Sequence, residues 1–381
     1  MSAMVFIYGA CVSISWPFIA LFGVNELGIS SSATAVLISA VAISGLAFSH
    51  IIGIYSDKIH DRRKALWVIL ACSIIGCLVL AFVRNYIIIL LCCCTFLGVG
   101  AASFAQLFAL AREQFEHDGL GEIDIRNNTL RGIFSLSWVF GPAIGAFVIS
   151  TLGYAEVFVI AALGYVVLSV FVLFAKPVHG ESSAEPKKLD NIRYDTKIYF
   201  NLVAFSIVSL ALNIGTICLP LLVNKTHQLS EKILGLLMGA TAFLEIPLMV
   251  GTAILAKKIE KFWLVLFGFL FFSVYGVLLY GAQNLTGLFV AQAVCAVGVA
   301  IIMGLGMSYC QELLPGRAGE GTTLFTNASL AGSVASGMVF AIAVTFISYQ
   351  QIYLISAFLC LLSSGFFVLG RKKETLVDLA T

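Results

Sequence analysis

Charge is scarce in this sequence. Asp, Glu, Lys and Arg make up 11% of its 381 residues, less than half of the about 25% found in soluble globular chains. With 60% apolar residues and a mean hydropathy of +1.02, it holds far more apolar surface than one water-exposed domain can bury. That composition excludes a soluble enzyme, a nucleic-acid binder and a disordered chain, and it points to a polytopic membrane protein. Catalytic groups are lacking at membrane depth. The five histidines, His50, His60, His117, His179 and His227, all fall near the ends of apolar runs or in loops. No GxxxxGK[ST] phosphate loop occurs, so ATP is not expected to drive the protein directly. The ten cysteines lie inside or at the edge of apolar runs, where they act as small apolar residues. Cys92-Cys93-Cys94 point to different helix faces and lack the spacing of metal ligands. No metal and no cofactor are expected. The first apolar run has no positive stretch before it and no small-residue cleavage site, so it reads as a retained span and not a signal peptide.

What is present is a series of long apolar runs, at 4–24, 33–53, 65–83, 86–110, 128–150, 153–175, 197–223, 231–255, 262–281, 285–309, 321–347 and 350–370. Each is long enough for a transmembrane helix of about 20 residues. The alternating ten-residue pattern of a barrel is absent. The widest polar stretch, 176–196, carries Lys176, Pro177, Pro186, Lys187, Lys188 and Asp190 and reads as a linker. The expected architecture is therefore all-α: a six-helix bundle over 1–175, a cytoplasmic linker over 176–196, and a second six-helix bundle over 197–381. Only Arg84, Lys225 and Lys232 of the 22 Lys and Arg residues fall on one side of the twelve runs. The positive-inside rule then puts both termini in the cytoplasm.

The halves resemble each other at an offset of 200 residues. Ile29-Ser30 matches Leu229-Ser230, Asp57-Lys58 matches Lys257-Lys258, Gly98-Val99 matches Gly298-Val299, and Arg112 falls opposite Glu312. A parallel repeat of this kind predicts two pseudo-symmetric bundles with a binding site near the bilayer midplane.

The loop after the second run reads Gly53-Ile-Tyr-Ser-Asp57-Lys58-Ile-His60-Asp61-Arg62-Arg63-Lys64. A carboxylate at a helix end bonds cationic side chains and neighbouring helix N-termini. Asp57, Arg62 and Arg63, together with Arg112, Glu113 and Arg131 at the inner ends of the fourth and fifth runs, are read as a cytoplasmic gate; a plain positive anchor is the alternative. This loop resembles the cytoplasmic signature of the major facilitator superfamily, with His60 where the family has Gly. Gly141-Pro142-Ala143-Ile144-Gly145 resembles the span-5 motif of exporters and antiporters in that superfamily. Four longer strings are similar to bacterial sugar efflux transporters, a branch of the superfamily: Gln106 to Glu113, Ser135 to Pro142, Leu237 to Pro247, and Leu314 to Asn327. The resemblance covers most of the chain. It implies the major facilitator fold and proton-driven export of lactose- or glucose-type sugars from a bacterial inner membrane. Its implied partners are a sugar, protons and the lipid bilayer, with the protein acting as a monomer. Export of another small amphipathic compound, such as a drug, is the competing reading.

Glu245 is the one acidic residue near the middle of a run. A carboxylate there is costly and must face a cavity or a partner, so Glu245 is the first candidate for proton coupling and for substrate contact; a permanently protonated Glu bonding another helix is the alternative. Glu26, at the outer end of the first run beside Asn25, is the second candidate. Amides offer both donors and acceptors to sugar hydroxyls, which nominates Asn25, Gln106, Asn213, Gln292 and Asn327. Trp16 and Trp138 offer apolar faces for stacking on a sugar ring. Each of these is as well suited to helix packing as to ligand contact.

Overall fold

In the computed structural model, residues 1–56, 61–117, 123–175, 195–314 and 317–371 are described. Among them there is no strand, and twelve helices are long and apolar enough to cross a membrane. Span 1 is Ser2–Glu26, span 2 Ser31–Gly53, span 3 Arg62–Phe82, span 4 Tyr86–Phe115, span 5 Thr129–Thr151 and span 6 Tyr154–Phe174. Span 7 is Thr196–Thr226, span 8 Glu231–Leu255, span 9 Lys261–Gly281, span 10 Leu285–Glu312, span 11 Glu320–Phe346 and span 12 Tyr349–Leu369. The near face is the one on which span 1 begins, and the far face is the one on which it ends. Spans 4 and 10 overrun their apolar stretches, reaching Phe115 and Glu312. Hydropathy marks only the apolar part of a helix, and here the extra turns carry acidic residues that become important below.

By contact the chain forms two compact units. The first comprises Met1–Lys188, Ile217–Ala242 and Phe340–Thr345; the second comprises Leu189–Thr216, Phe243–Val339 and Phe346–Thr381. In the first unit span 1 packs on spans 5 and 6, span 3 on span 6, and span 2 on span 4; in the second, span 9 packs on spans 10 and 12. Apolar lipid supplies no hydrophobic drive between helices, so association rests on close packing and on polar links. Span 5 shows the first device. A Cβ at Gly141 would collide with Ser13, and one at Gly145 with the Ile14 carbonyl. Hydroxyls bonded to carbonyls of other spans show the second. Ser13 Oγ donates to the Ser137 carbonyl at 3.0 Å in the first unit. In the second unit Ser209 Oγ donates to Ser329 at 2.6 Å, Ser356 Oγ to Ala211 at 2.9 Å and Ser363 Oγ to Ala204 at 2.7 Å.

The repeat is written in the backbone. Spans 1 and 7 both end in a five-residue π-helical turn, Phe22–Glu26 and Leu222–Thr226. Two residues on, Gly28 has φ 63° and Gln228 has φ 51°, and spans 2 and 8 then begin at Ser31 and Glu231. Further along the offset falls to 199. Asn85 and Asn284 cap spans 4 and 10 with their side chains, and Arg62 and Lys261 begin spans 3 and 9. This changes one pairing read from the sequence: Glu113, not Arg112, is the counterpart of Glu312. The glycine match also fails spatially, because Gly98 faces Ser44 of span 2 whereas Gly298 faces Phe272 of span 9.

The left-handed turn gives a test. Gly28 fits it freely, whereas a side chain in that region carries about 1–2 kcal/mol of strain. Gln228→Gly is expected to raise stability by about 0.5–1 kcal/mol, with Gly28→Ala lowering it by a similar amount. Thermal unfolding of the two purified variants measures both, and a Gln228→Gly protein no more stable than the parent contradicts the assignment.

Candidate functional site

At the near face, Asp61 caps span 3 by accepting the Arg63 backbone N–H at 3.1 Å, which starts the helix at Arg62. Arg62 donates from Nε to Glu113 Oε1 at 2.7 Å and from Nη1 to Gln106 Oε1 at 3.0 Å. The pair is well covered, with side chains 12% and 25% exposed, so it is stronger than an open surface pair. The second unit repeats it, with Lys261 Nζ paired to Glu312. Gln106, a candidate for sugar contact, is thus a member of the ion-pair cluster and is buried. Arg63 does something else. Its Nε and Nη2 bind the two Asp61 oxygens at 2.9 and 2.8 Å, and its Nη1 donates to the Ala175 carbonyl at 2.7 Å, tying span 3 to the end of span 6. The Arg63 hydrogen bonds hold the Asp61 carboxyl below its ordinary pKa. Arg112 and Arg131 are exposed on their helices, and Asp57 lies outside the described residues.

At the far face of the first unit is a closed ring of side chains. Asn25 Nδ2 donates to the Tyr154 hydroxyl and to Asn224 Oδ1, both at 3.1 Å. Tyr154 Oη and Asn224 Nδ2 then both donate to Glu231 Oε1, each at 3.3 Å. The ring links the ends of spans 1 and 7 with the starts of spans 6 and 8. Glu26 stands beside it, paired with Arg84 at 3.0 Å. Glu26 and Asn25 were legible as polar residues at the end of a run, but Tyr154, Asn224 and Glu231 were not singled out. The available signal was the repeat: Asn224 lies within one residue of the counterpart of Asn25, and Glu231 opens the span whose start the offset marks.

At membrane depth the candidates have different fates. Asn213 is fully engaged, donating to the Ser209 carbonyl at 2.8 Å and accepting from Ser333 Oγ at 3.3 Å, in a contact between spans 7 and 11. Gln292 is buried in span 10. Trp16 is half-buried where span 1 tightens into a short 3-10 turn at Pro17, and Trp138 is half-buried on span 5, just before the glycines that receive span 1. Asn327 is exposed on span 11 beside exposed Thr323 and Thr326; its amide has no hydrogen-bond partner among the described residues. Glu245 is half-buried in span 8, near Cys295 of span 10, and its carboxyl likewise has no hydrogen-bond or ion-pair partner among the described residues. The structure therefore commits Asn25, Gln106 and Asn213 to protein contacts and leaves Glu245 and Asn327 available to something else. Among the described residues no group of His, Cys, Asp and Glu could hold a metal ion.

The Major Facilitator Superfamily profile matches residues 1–337 and again 202–378. Sugar efflux transporter A of Dickeya chrysanthemi is 32% identical over 368 residues, covering 92% of this chain and 90% of that protein. Sugar efflux transporter B of Salmonella typhimurium is 29% identical, covering 97% and 94%. A solved structure of a mutant of the nucleoside transporter NupG superposes with a TM-score of 0.83 over 97% of this chain and 98% of that one. At 11% identity that likeness concerns the fold alone.

The far-face ring makes a specific prediction. Tyr154→Phe keeps the aromatic ring and removes the hydroxyl that both accepts from Asn25 and donates to Glu231. It is expected to lower stability by about 0.5–1 kcal/mol, the usual net worth of a partly exposed hydrogen bond. Thermal unfolding of the variant beside the parent measures this, and an unchanged midpoint would show that the ring holds nothing.

Proposed function

Because this chain belongs to the sugar efflux transporter family of the Major Facilitator Superfamily, we propose that it exports lactose- or glucose-type sugars in exchange for protons. The chain is a multi-pass membrane transporter and not an enzyme. The observation that carries the substrate class is the near-full-length identity to sugar efflux transporters, 32% over 92% of the chain for the Dickeya protein. We further infer a bacterial inner-membrane location with the near face in the cytoplasm. The distribution of Lys and Arg supports it, since only Arg84, Lys225 and Lys232 fall on the far side.

The coupling residue in this reading is Glu245. A carboxylate at membrane depth is costly to ionise without water or a partner, and this one has no protein partner among the described residues. When its surroundings are dry it holds a proton; when they are wetted it can release one. A tenfold difference in proton affinity between two states supplies about 1.4 kcal/mol of coupling. Glu26 serves this role less well, because it is already engaged in an ion pair with Arg84 at 3.0 Å. For the sugar, Asn327 on span 11 supplies an uncommitted donor and acceptor, and Trp16 and Trp138 supply ring faces. The near-face ion pairs and the far-face ring fasten helix ends that a transport cycle must loosen in turn. Asp57, outside the described residues, is proposed to act with them as a switch.

Glu245→Gln tests this directly, since it preserves shape and hydrogen-bonding capacity and removes ionisation. In inverted vesicles the variant is expected to exchange labelled lactose or glucose down a gradient, while its accumulation ratio under an imposed proton gradient falls to about 1. Accumulation at the parental level would place the coupling elsewhere. Flux of a labelled drug with none of either sugar in the parent would overturn the substrate class.

A further inference from the structure

We propose that the near-face end of the contact between spans 3 and 6 is a binding site for the headgroup of an anionic phospholipid. A cavity of about 370 Å³ opens there, lined by Asp61, Arg63, Lys64, Trp67, Val172 and Leu173. Its depth fits a headgroup. Span 3 begins at Arg62, so Trp67 lies about 7 Å along the helix at 1.5 Å per residue, where aromatic side chains sit at a membrane interface. Leu173 is the penultimate residue of span 6. Trp67 and Leu173 are 41% and 52% exposed, and Phe174 beside them is 83% exposed; these apolar surfaces suit acyl chains.

The polar mouth selects the charge. A guanidinium has five N–H donors. Arg63 spends one at Nε and one at Nη2 on Asp61, and one at Nη1 on Ala175, which leaves one on each terminal nitrogen. The group is thereby fixed in place, and the two remaining donors match two oxygens of a phosphodiester. Lys64 is exposed and contributes a full positive charge. Asp61 carries one negative charge, so the mouth has a net charge of +1, opposite to one phosphodiester. Both Asp61 oxygens are already occupied by Arg63, which disfavours capture of a lipid ammonium and selects an anionic over a zwitterionic lipid. At the start of span 9 in the second unit, a cation is covered by protein instead. There Arg371 binds Glu260 at 3.1 Å and lies 4.8 Å from the ring centres of both Phe262 and Trp263. Trp263 occupies the repeat position of Lys64, so an aromatic ring stands in the second unit where the first unit has an exposed cation. Basic pockets between spans at a membrane interface are suited to lipid phosphates.

The test uses the full chain in bilayers of phosphatidylcholine with brominated phosphatidylglycerol or brominated phosphatidylcholine as quencher. Subtracting the fluorescence of Trp67→Phe isolates Trp67. Brominated phosphatidylglycerol is expected to quench that signal half-maximally at about fivefold lower mole fraction than brominated phosphatidylcholine, the weight of one well-placed cation near the surface. Lys64→Gln is expected to abolish the preference and Lys64→Arg to keep it, with all variants unfolding at the parental temperature. Equal quenching by the two lipids in the parent, or an undiminished preference in Lys64→Gln, overturns the proposal. Loss of the preference on adding millimolar inorganic phosphate would show a site for soluble phosphate and would equally overturn it.

Discussion

Hydrocarbon offers no hydrogen-bond partner, so every polar group within a span must find one in the protein or in water that the protein admits. That constraint organises the structure at each level. It turns the serine hydroxyls of spans 1, 7 and 12 onto carbonyls of spans 5, 11 and 7. It closes Asn213 on both sides, onto Ser209 and Ser333. Glu245 and Asn327 do not follow this rule among the described residues, and neither does the buried Ser103 hydroxyl of span 4.

The same rule governs the ends of the helices. The acidic turns by which spans 4 and 10 overrun their apolar stretches meet the cations that open spans 3 and 9, giving Arg62–Glu113 and Lys261–Glu312. One duplicated design has nevertheless diverged. The first unit adds Gln106 to the pair and fixes Arg63 on the end of span 6, whereas the second brings Arg371 from span 12 to Glu260 and covers it with aromatic rings.

Much of this was legible in the sequence. The twelve spans follow from hydropathy because a helix in lipid must be apolar on nearly all sides. The repeat was legible because its markers, a short far-face turn and an acidic or serine start, recur at almost constant spacing. Partner choice was not legible. Gln106 reads as a mid-span amide, yet Arg62, 44 residues earlier, takes it because span 4 continues past its apolar stretch. Asn25 meets Asn224 across 199 residues of chain, a contact that only the folded arrangement supplies. The exact offset was misjudged near Glu312 because a one-residue change after spans 2 and 8 is invisible to matches made one at a time.

The central claim is that sugar moves outward against protons moving inward. It is tested most directly by reconstituting the parent protein in liposomes with a trapped pH indicator and no initial pH difference. A lactose or glucose gradient alone should then drive protons opposite to the sugar, changing the internal pH, with no such change for a sugar that is not carried. A labelled sugar flux accompanied by no pH change would contradict the account and define the protein as an uncoupled facilitator.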